Sequence, residues 1–215
     1  PWGKIGHKQW LELSKKHKIP AMIDIAADVP PVENLWKFND MGYDVVCVSG
    51  GKAIRGPQSA GILMGRKEII AAARLSAPPG GGNIGRGMKV NKEEIFGMYA
   101  ALDRFVNLDH GKEWQMWKDR ANVILNAVKK VNGVKAEIFV PPIANVTPTL
   151  RISWDQSLIK LTPKGMTLNL RNGEPSIEAP KSINDAMILS VWMMQPGDEK
   201  IVARRFTEEL IKARV

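Results

Sequence analysis

The chain has 215 residues, 44% of them hydrophobic and 25% charged, with a formal net charge of +9. This is the composition of an ordinary globular protein with apolar residues enough for a real core, which excludes a compositionally disordered chain. No run approaches the roughly 18 consecutive apolar residues that a membrane-spanning helix needs, so no membrane partner is expected.

The start, Pro1-Trp2-Gly3-Lys4, has no initiator methionine and no hydrophobic stretch. It reads as a processed end or a fragment, without a secretory signal. Lys8 to His17 has the spacing of a helix. Ile19 to Ala27 reads as a buried strand with Pro20 at its start. Pro30-Pro31 opens a helix carrying Val32, Leu35, Phe38 and Met41, and Gly42 closes it. Asp44 to Ser49 is a second strand. Its Cys47 is the only cysteine, which rules out an intramolecular disulfide and points to the cytoplasm. Within its apolar run Cys47 is expected to be a small packed hydrophobe. Both strands are continuous apolar runs, the pattern of a parallel sheet covered on both faces. Gly61 to Gly65 is a third, short strand, and Lys67 to Leu75 a helix.

Pro78-Pro79-Gly80-Gly81-Gly82-Asn83 is a loop. No Gly-Lys-Ser/Thr follows it, so it is not a phosphate-binding P-loop. Asn91 is an N-cap, with Glu94 three residues on. The helix behind it places Ile95, Met98, Tyr99, Leu102, Phe105 and Val106 on one face. A second long helix runs from about Lys112 to Val131, with Trp114, Trp117, Ala121, Ile124, Leu125 and Val128 inward, and Gly133 ends it. Beyond it the period changes to two. Leu150, Ile152 and Trp154 alternate with polar neighbours, as do Met166, Leu168 and Leu170. These predict two strands of a small antiparallel sheet, covered by helices from about Ser182 to Met194 and Glu199 to Ala213. The expected organisation is an α/β portion over 1–108 and a small α+β portion over 109–215.

The chemistry concentrates in Ser49-Gly50-Gly51-Lys52-Ala53-Ile54-Arg55-Gly56-Pro57-Gln58 and in Asp24. Asp24 follows the apolar run Ala21-Met22-Ile23, and Lys52 follows Val45-Val46-Cys47-Val48. If the two runs are neighbouring parallel strands, a carboxylate and an amine emerge at the same sheet edge. Pyridoxal phosphate needs that pair: an amine to hold its aldehyde carbon and a carboxylate to keep its pyridinium nitrogen protonated. A lone lysine in a glycine-rich loop is usually just solvated; the paired aspartate and the following Gly-Pro-Gln reverse that reading. His7, His17 and His110 share no ligand spacing with one another or with Cys47, so no metal site is expected. The positive residues are scattered and not interleaved with aromatics, which makes tRNA or another nucleic acid the weaker reading of the +9 charge.

With these residues placed, the chain resembles a fold type I pyridoxal-phosphate protein, and most nearly the bacterial selenocysteine synthase (L-seryl-tRNA(Sec) selenium transferase) family and its related D-glucosaminate-6-phosphate ammonia-lyase branch. The likeness rests on Ile23-Asp24-Ile25-Ala26-Ala27, Ser49-Gly50-Gly51-Lys52, Gly56-Pro57-Gln58 and Gly85-Arg86-Gly87-Met88-Lys89-Val90-Asn91-Lys92-Glu93 in this order. It implies part of an aspartate aminotransferase-like large domain with a mostly parallel sheet, followed by a small C-terminal domain. It implies pyridoxal 5'-phosphate as cofactor, Lys52 as the Schiff-base lysine and Asp24 as the pyridinium partner. Ala26 would lie against the ring and Ser49 near the phosphate, and Gly56 and Gln58 would reach a neighbouring subunit's site, making the protein at least a dimer. Arg86 and Lys89 would bind an anionic group of an amino-acid-type substrate, and Arg171 its carboxylate. The selenium transferases carry an acidic residue before the lysine; Gly51 here favours ammonia-lyase-type elimination. The likeness is to the C-terminal portion of such proteins only. This keeps two alternatives open: a truncated, non-catalytic homologue with an oligomerising role, and a basic tRNA-contacting module.

Overall fold

The computed structural model describes residues 5–179 and 185–215. The chain forms two compact units, residues 1–108 and 109–215. The first contains α1 (His7–His17), β1 (Met22–Asp24), α2 (Asn34–Met41), β2 (Val45–Ser49), β3 (Gly61–Gly65), α3 (Lys67–Leu75), a 3-10 turn (Ile84–Gly87) and α4 (Lys92–Val106). The second contains α5 (His110–Val128), β4 (Val134–Phe139), β5 (Thr149–Trp154), α6 (Pro163–Arg171), β6 (Met187–Ser190) and α7 (Asp198–Lys212). Among the described residues no helix is long and apolar enough to cross a membrane.

In the first unit the sheet order is β1-β2-β3. β1 runs parallel to β2, with Met22 opposite Val45 and Asp24 opposite Cys47. β3 is antiparallel to β2 and pairs Ser49 with Gly61 and Val45 with Gly65. Side chains alternate between the two faces of a strand. On one face Val46 and Val48 join Ile25, Leu35, Phe38, Met98 and Phe105 in the core, with Ile23, Ile62 and Met64 packed against it. The opposite face carries Met22, Asp24, Val45, Cys47, Ser49 and Leu63; there Val45 is buried at the start of β2, whereas Met22 and Leu63 are 55% and 41% exposed. The apolar runs predict cover on both faces; within this unit the second face is covered at Val45 and largely open beyond it.

Asp44 clamps the strand starts. Its Oδ2 accepts the Ala21 N–H at 2.7 Å and its Oδ1 the Arg66 guanidinium at 3.0 Å. Its own N–H donates to the Ala21 carbonyl, and its carbonyl accepts the Arg66 N–H, both at 2.9 Å. One residue thus joins the entry to β1, the entry to β2 and the exit of β3. α4 starts at Asn91 with the expected capping box, Glu94 reaching back to the Asn91 N–H at 2.9 Å. Of its expected buried face, Met98 and Phe105 are in the core, whereas Ile95 and Tyr99 are exposed.

In the second unit β4, β5 and β6 form an antiparallel sheet in that order. Two expectations are corrected here. Residues 163–171 are helical, not a strand. Thr162 caps this helix by accepting the Gly165 N–H at 3.1 Å, and Pro163 occupies its first turn. Met166 and Leu170, four apart, are fully buried while Leu168 is exposed, so the period of 3.6 wins over the apparent period of two. Met187–Ser190 is a strand where a helix is predicted; pairing of Leu150 with Leu189 and Ile152 with Met187 overrides the helix-forming residues. The 182–184 part of that predicted helix lies outside the described residues. α6 and α7 are tied by a buried pair. Arg205 donates to Glu209 at 3.1 Å and to the Asn169 carbonyl at 3.3 Å, and the Asn169 amide donates to Glu209 at 3.0 Å.

The sidedness of the first sheet is testable. Ile25→Ala should cost about 2–5 kcal/mol in urea unfolding, the range for emptying a well-packed site, and Leu63→Ala no more than about 0.5 kcal/mol. The Asp44 clamp carries a pH dependence. The Ala21 N–H first, and Arg66 second, hold its carboxyl below the ordinary range. A carboxylate depressed on folding stabilises above its unfolded pKa of about 3.9 and loses that contribution as pH falls through the folded value. Asp44→Asn should therefore lower Tm at neutral pH, and the gap from wild type should close below about pH 4 in a thermal melt series.

Candidate active site

Parallel neighbours leave a sheet on the same side, so the residues after β1 and β2 share one edge. Asp24 is the last residue of β1. Its Oδ1 accepts the Ala26 N–H at 2.8 Å, a local turn that orients the carboxylate. The next residue, Ile25, is fully buried and donates its N–H to the Cys47 carbonyl at 2.9 Å, anchoring the turn to β2. Among the described residues Oδ2 of Asp24 has no hydrogen-bond partner. Cys47, opposite Asp24 in register, has its thiol pushed up by burial and secondarily by the Asp24 charge. It therefore stays a neutral thiol. Ser49 ends β2 on the same face as Cys47 and Asp24.

Lys52 sits in the connection from β2 to β3, exposed, with no ion-pair partner among the described residues. The connection is held from within. Gly50 donates its N–H to the Ala60 carbonyl at 3.0 Å, one step beyond the β2–β3 ladder. Gly56 donates to the Gly50 carbonyl at 2.8 Å, and Arg55 to the Lys52 carbonyl at 2.9 Å. Ile54 is buried in the core beneath. The glycines are required by close approach. A Cβ on Gly50 would lie 2.3 Å from the Met98 sulfur and 2.6 Å from the Ala60 carbonyl oxygen. A Cβ on Gly56 would lie 3.1 Å from the same sulfur.

The structure thus brings Asp24, Ala26, Ser49, Lys52 and Gly56 to the carboxyl-end edge of β1 and β2, the position where open α/β sheets bind ligands. An apolar hollow of 170 Å³ lined by Trp10, Leu13, His17, Ile19 and Pro20 lies at the start of β1, the other end of the strand. Gln58, itself exposed, folds back on its own loop: its amide donates to the Gly51 carbonyl at 2.9 Å. Arg86, in the 3-10 turn, and Lys89 just after it are exposed on the segment between α3 and α4, without an ion-pair partner among the described residues. Arg171 ends α6 in the second unit, with its guanidinium forked onto Glu178; Nε donates at 2.7 Å and Nη2 makes the second bond. The sequence reasoning missed Asp44 and Met98. Asp44 has a local signal, an acidic residue immediately before an apolar strand. Met98 meets the glycines only through the fold.

No protein-family profile matches the chain. Among curated proteins it is similar to D-glucosaminate-6-phosphate ammonia lyase of Salmonella typhimurium (strain 14028s / SGSC 2262), 26% identical over 179 residues, covering 83% of this chain and 45% of the relative. It is also 26% identical over 193 residues to L-seryl-tRNA(Sec) selenium transferase of Moorella thermoacetica, covering 80% of this chain and 39% of the relative. The solved structure of D-glucosaminate-6-phosphate ammonia-lyase superposes with a TM-score of 0.76 at 24% identity, covering 98% of this chain and 54% of that one. The structure of SPT with PLP internal aldimine superposes with a TM-score of 0.56 at 12% identity, covering 98% and 52%. The chain spans about half the length of the relatives it matches. The protein thus has a partial pyridoxal-phosphate-transferase fold, and its homologues include D-glucosaminate-6-phosphate ammonia lyase and the selenium transferases.

Proposed function

We propose that this chain supplies the lysine and the pyridinium partner of a pyridoxal-phosphate-dependent lyase or transferase that eliminates or replaces a group on an amino-acid-type substrate bearing an anionic moiety. The observation that carries the reading is the parallel β1–β2 register, which puts Asp24 and the Lys52 loop at one sheet edge. The residues present fit the cofactor by their chemistry: an exposed amine with no ion-pair partner among the described residues, a carboxylate with one oxygen held by the Ala26 N–H and the other open among the described residues, and a small residue, Ala26, two positions beyond that carboxylate.

Pyridoxal phosphate, when bound, supplies an electron sink for the substrate's α-carbon. Lys52 would hold it covalently and, once released by the incoming amine, would take and return the α-proton as general base. Asp24 would accept the ring N–H on its open oxygen while Ala26 N–H keeps the other in place. Ser49 would donate its hydroxyl toward the phosphate. Arg86 and Lys89, with no carboxylate partner among the described residues, would take the substrate's anionic group. Arg171 would take a carboxylate by exchanging Glu178 for it. The exposed Ile95, Phe96 and Tyr99 of α4, with Pro57 packed against Gly97 of the same helix, support a homo-oligomer contact beside the Gly56-Pro57-Gln58 turn.

The purified chain mixed with pyridoxal phosphate should develop the visible absorption band of the lysine-bound cofactor, and Lys52→Ala should abolish it. Absence of the band, or its persistence in Lys52→Ala, would overturn the proposal. Asp24→Asn should keep the band and lower ammonia release from D-glucosaminate 6-phosphate, as the test substrate, by roughly 10²–10³-fold, the scale of losing one preorganised electrostatic partner. An unchanged rate would remove Asp24 from its role.

A further inference from the structure

Three successive carbonyls at the start of the β2–β3 connection are each satisfied from within it. Gly50 accepts from the Gly56 N–H and Lys52 from the Arg55 N–H, both backbone donors. Gly51, whose carbonyl belongs to the peptide that links it to Lys52, accepts instead from the Gln58 side-chain amide at 2.9 Å. This is the one bond of the three that a side chain supplies, and it acts on the peptide from which Lys52 springs. The same contact leaves no room at residue 51. A Cβ there would meet Gln58 Oε1 at 2.5 Å, its Cδ at 2.7 Å and its Cα at 2.8 Å. The last is backbone, so a rotamer change at Gln58 cannot relieve the clash.

We infer that Gln58 is a positioning residue: it fixes the Gly51–Lys52 peptide plane, and with it the root of the Lys52 side chain, and it requires glycine at position 51. The glycine before Lys52 is therefore the steric counterpart of Gln58. A chain with a side chain at that position must hold its lysine loop in another way. The amide donor of Gln58 thus serves its own loop. Freedom of the Gly51–Lys52 peptide spreads the positions open to the amine, and a reacting group displaced by a fraction of an ångström loses rate. The inference rests on the proposed function only for what Lys52 does; the loop geometry stands without it.

The test is amide hydrogen exchange over residues 50–60 of the intact chain, followed by mass spectrometry. Gln58→Ala and the isosteric Gln58→Met, which cannot donate, should each speed exchange in this segment by about fivefold, the scale of one hydrogen bond in a local opening, with Tm nearly unchanged. Gly51→Ala should speed it at least as much. Gln58→Glu should match Gln58→Ala at neutral pH. Relative to wild type at the same pH, it should recover protection below about pH 4, where the protonated acid can donate; a purely steric role for residue 58 would show no such recovery. Wild-type exchange in Gln58→Ala and Gln58→Met, or no recovery in Gln58→Glu, would overturn the inference. Attachment of pyridoxal phosphate at Lys52 should be slower in Gln58→Met. Failure of the wild type to attach it would sink the functional proposal and leave the exchange result to decide this one.

Discussion

Parallel pairing of β1 with β2 is the constraint on which the rest of this structure depends. Two strands that run the same way discharge their following residues at one edge, whatever the helix between them does. Here the pairing is pinned at the opposite end by Asp44, whose side chain and backbone hold Ala21 and Arg66 together. A one-residue slip of β1 would turn Asp24 into the core and expose Ile23 and Ile25. The buried Ile25 and its bond to Cys47 oppose that slip from the site side. The same registration therefore serves folding and chemistry: it packs an isoleucine on each side of an aspartate against the core, Ile23 partly and Ile25 fully buried, and leaves that aspartate on the open face.

The β2–β3 connection obeys a second constraint, crowding. Gly50 and Gly56 bring the backbone against Met98 of α4, and Gly51 brings it against Gln58. Such approaches need residues without a Cβ. They leave Lys52 as an exposed side chain on a backbone whose neighbouring carbonyls are all occupied. A flexible amine on a fixed root suits a residue that must hold a ligand, release it and then move a proton.

Much of this was legible in the sequence because the informative segments are local. The continuous apolar runs around Ile23 and Val46 announced two strands, although the first is only three residues long and half open; Asn91 and Glu94 announced the start of α4, and Asp24 and Lys52 could be placed by what precedes them. The failures have physical causes. At Met166 and Leu170 three apolar residues fit both a period of two and a turn of helix, and the deciding signal was the Thr162-Pro163 cap rather than the alternation. At Met187 and Leu189 helix-forming residues are recruited by pairing with Leu150 and Ile152, distant in sequence. The alternating Val134, Ala136 and Ile138 of β4 went unread beside the long helix that precedes them. In the site, the bond from Gln58 back to the Gly51 carbonyl and the Arg171–Glu178 fork are side-chain choices that residue identity alone does not fix.

Within its own unit the first sheet is apolar on both faces yet fully packed on one, with Met22 and Leu63 exposed beside Asp24 and Cys47 on the other. The candidate site opens on that unpacked side, where a planar aromatic cofactor would find an apolar floor and a carboxylate at one end. A crystal structure of the chain grown with pyridoxal phosphate measures this most directly. The account predicts the ring nitrogen within about 3 Å of an Asp24 carboxylate oxygen, and continuous density from the cofactor to the Lys52 nitrogen. A cofactor bound elsewhere, or touching only one of these two residues, would contradict it.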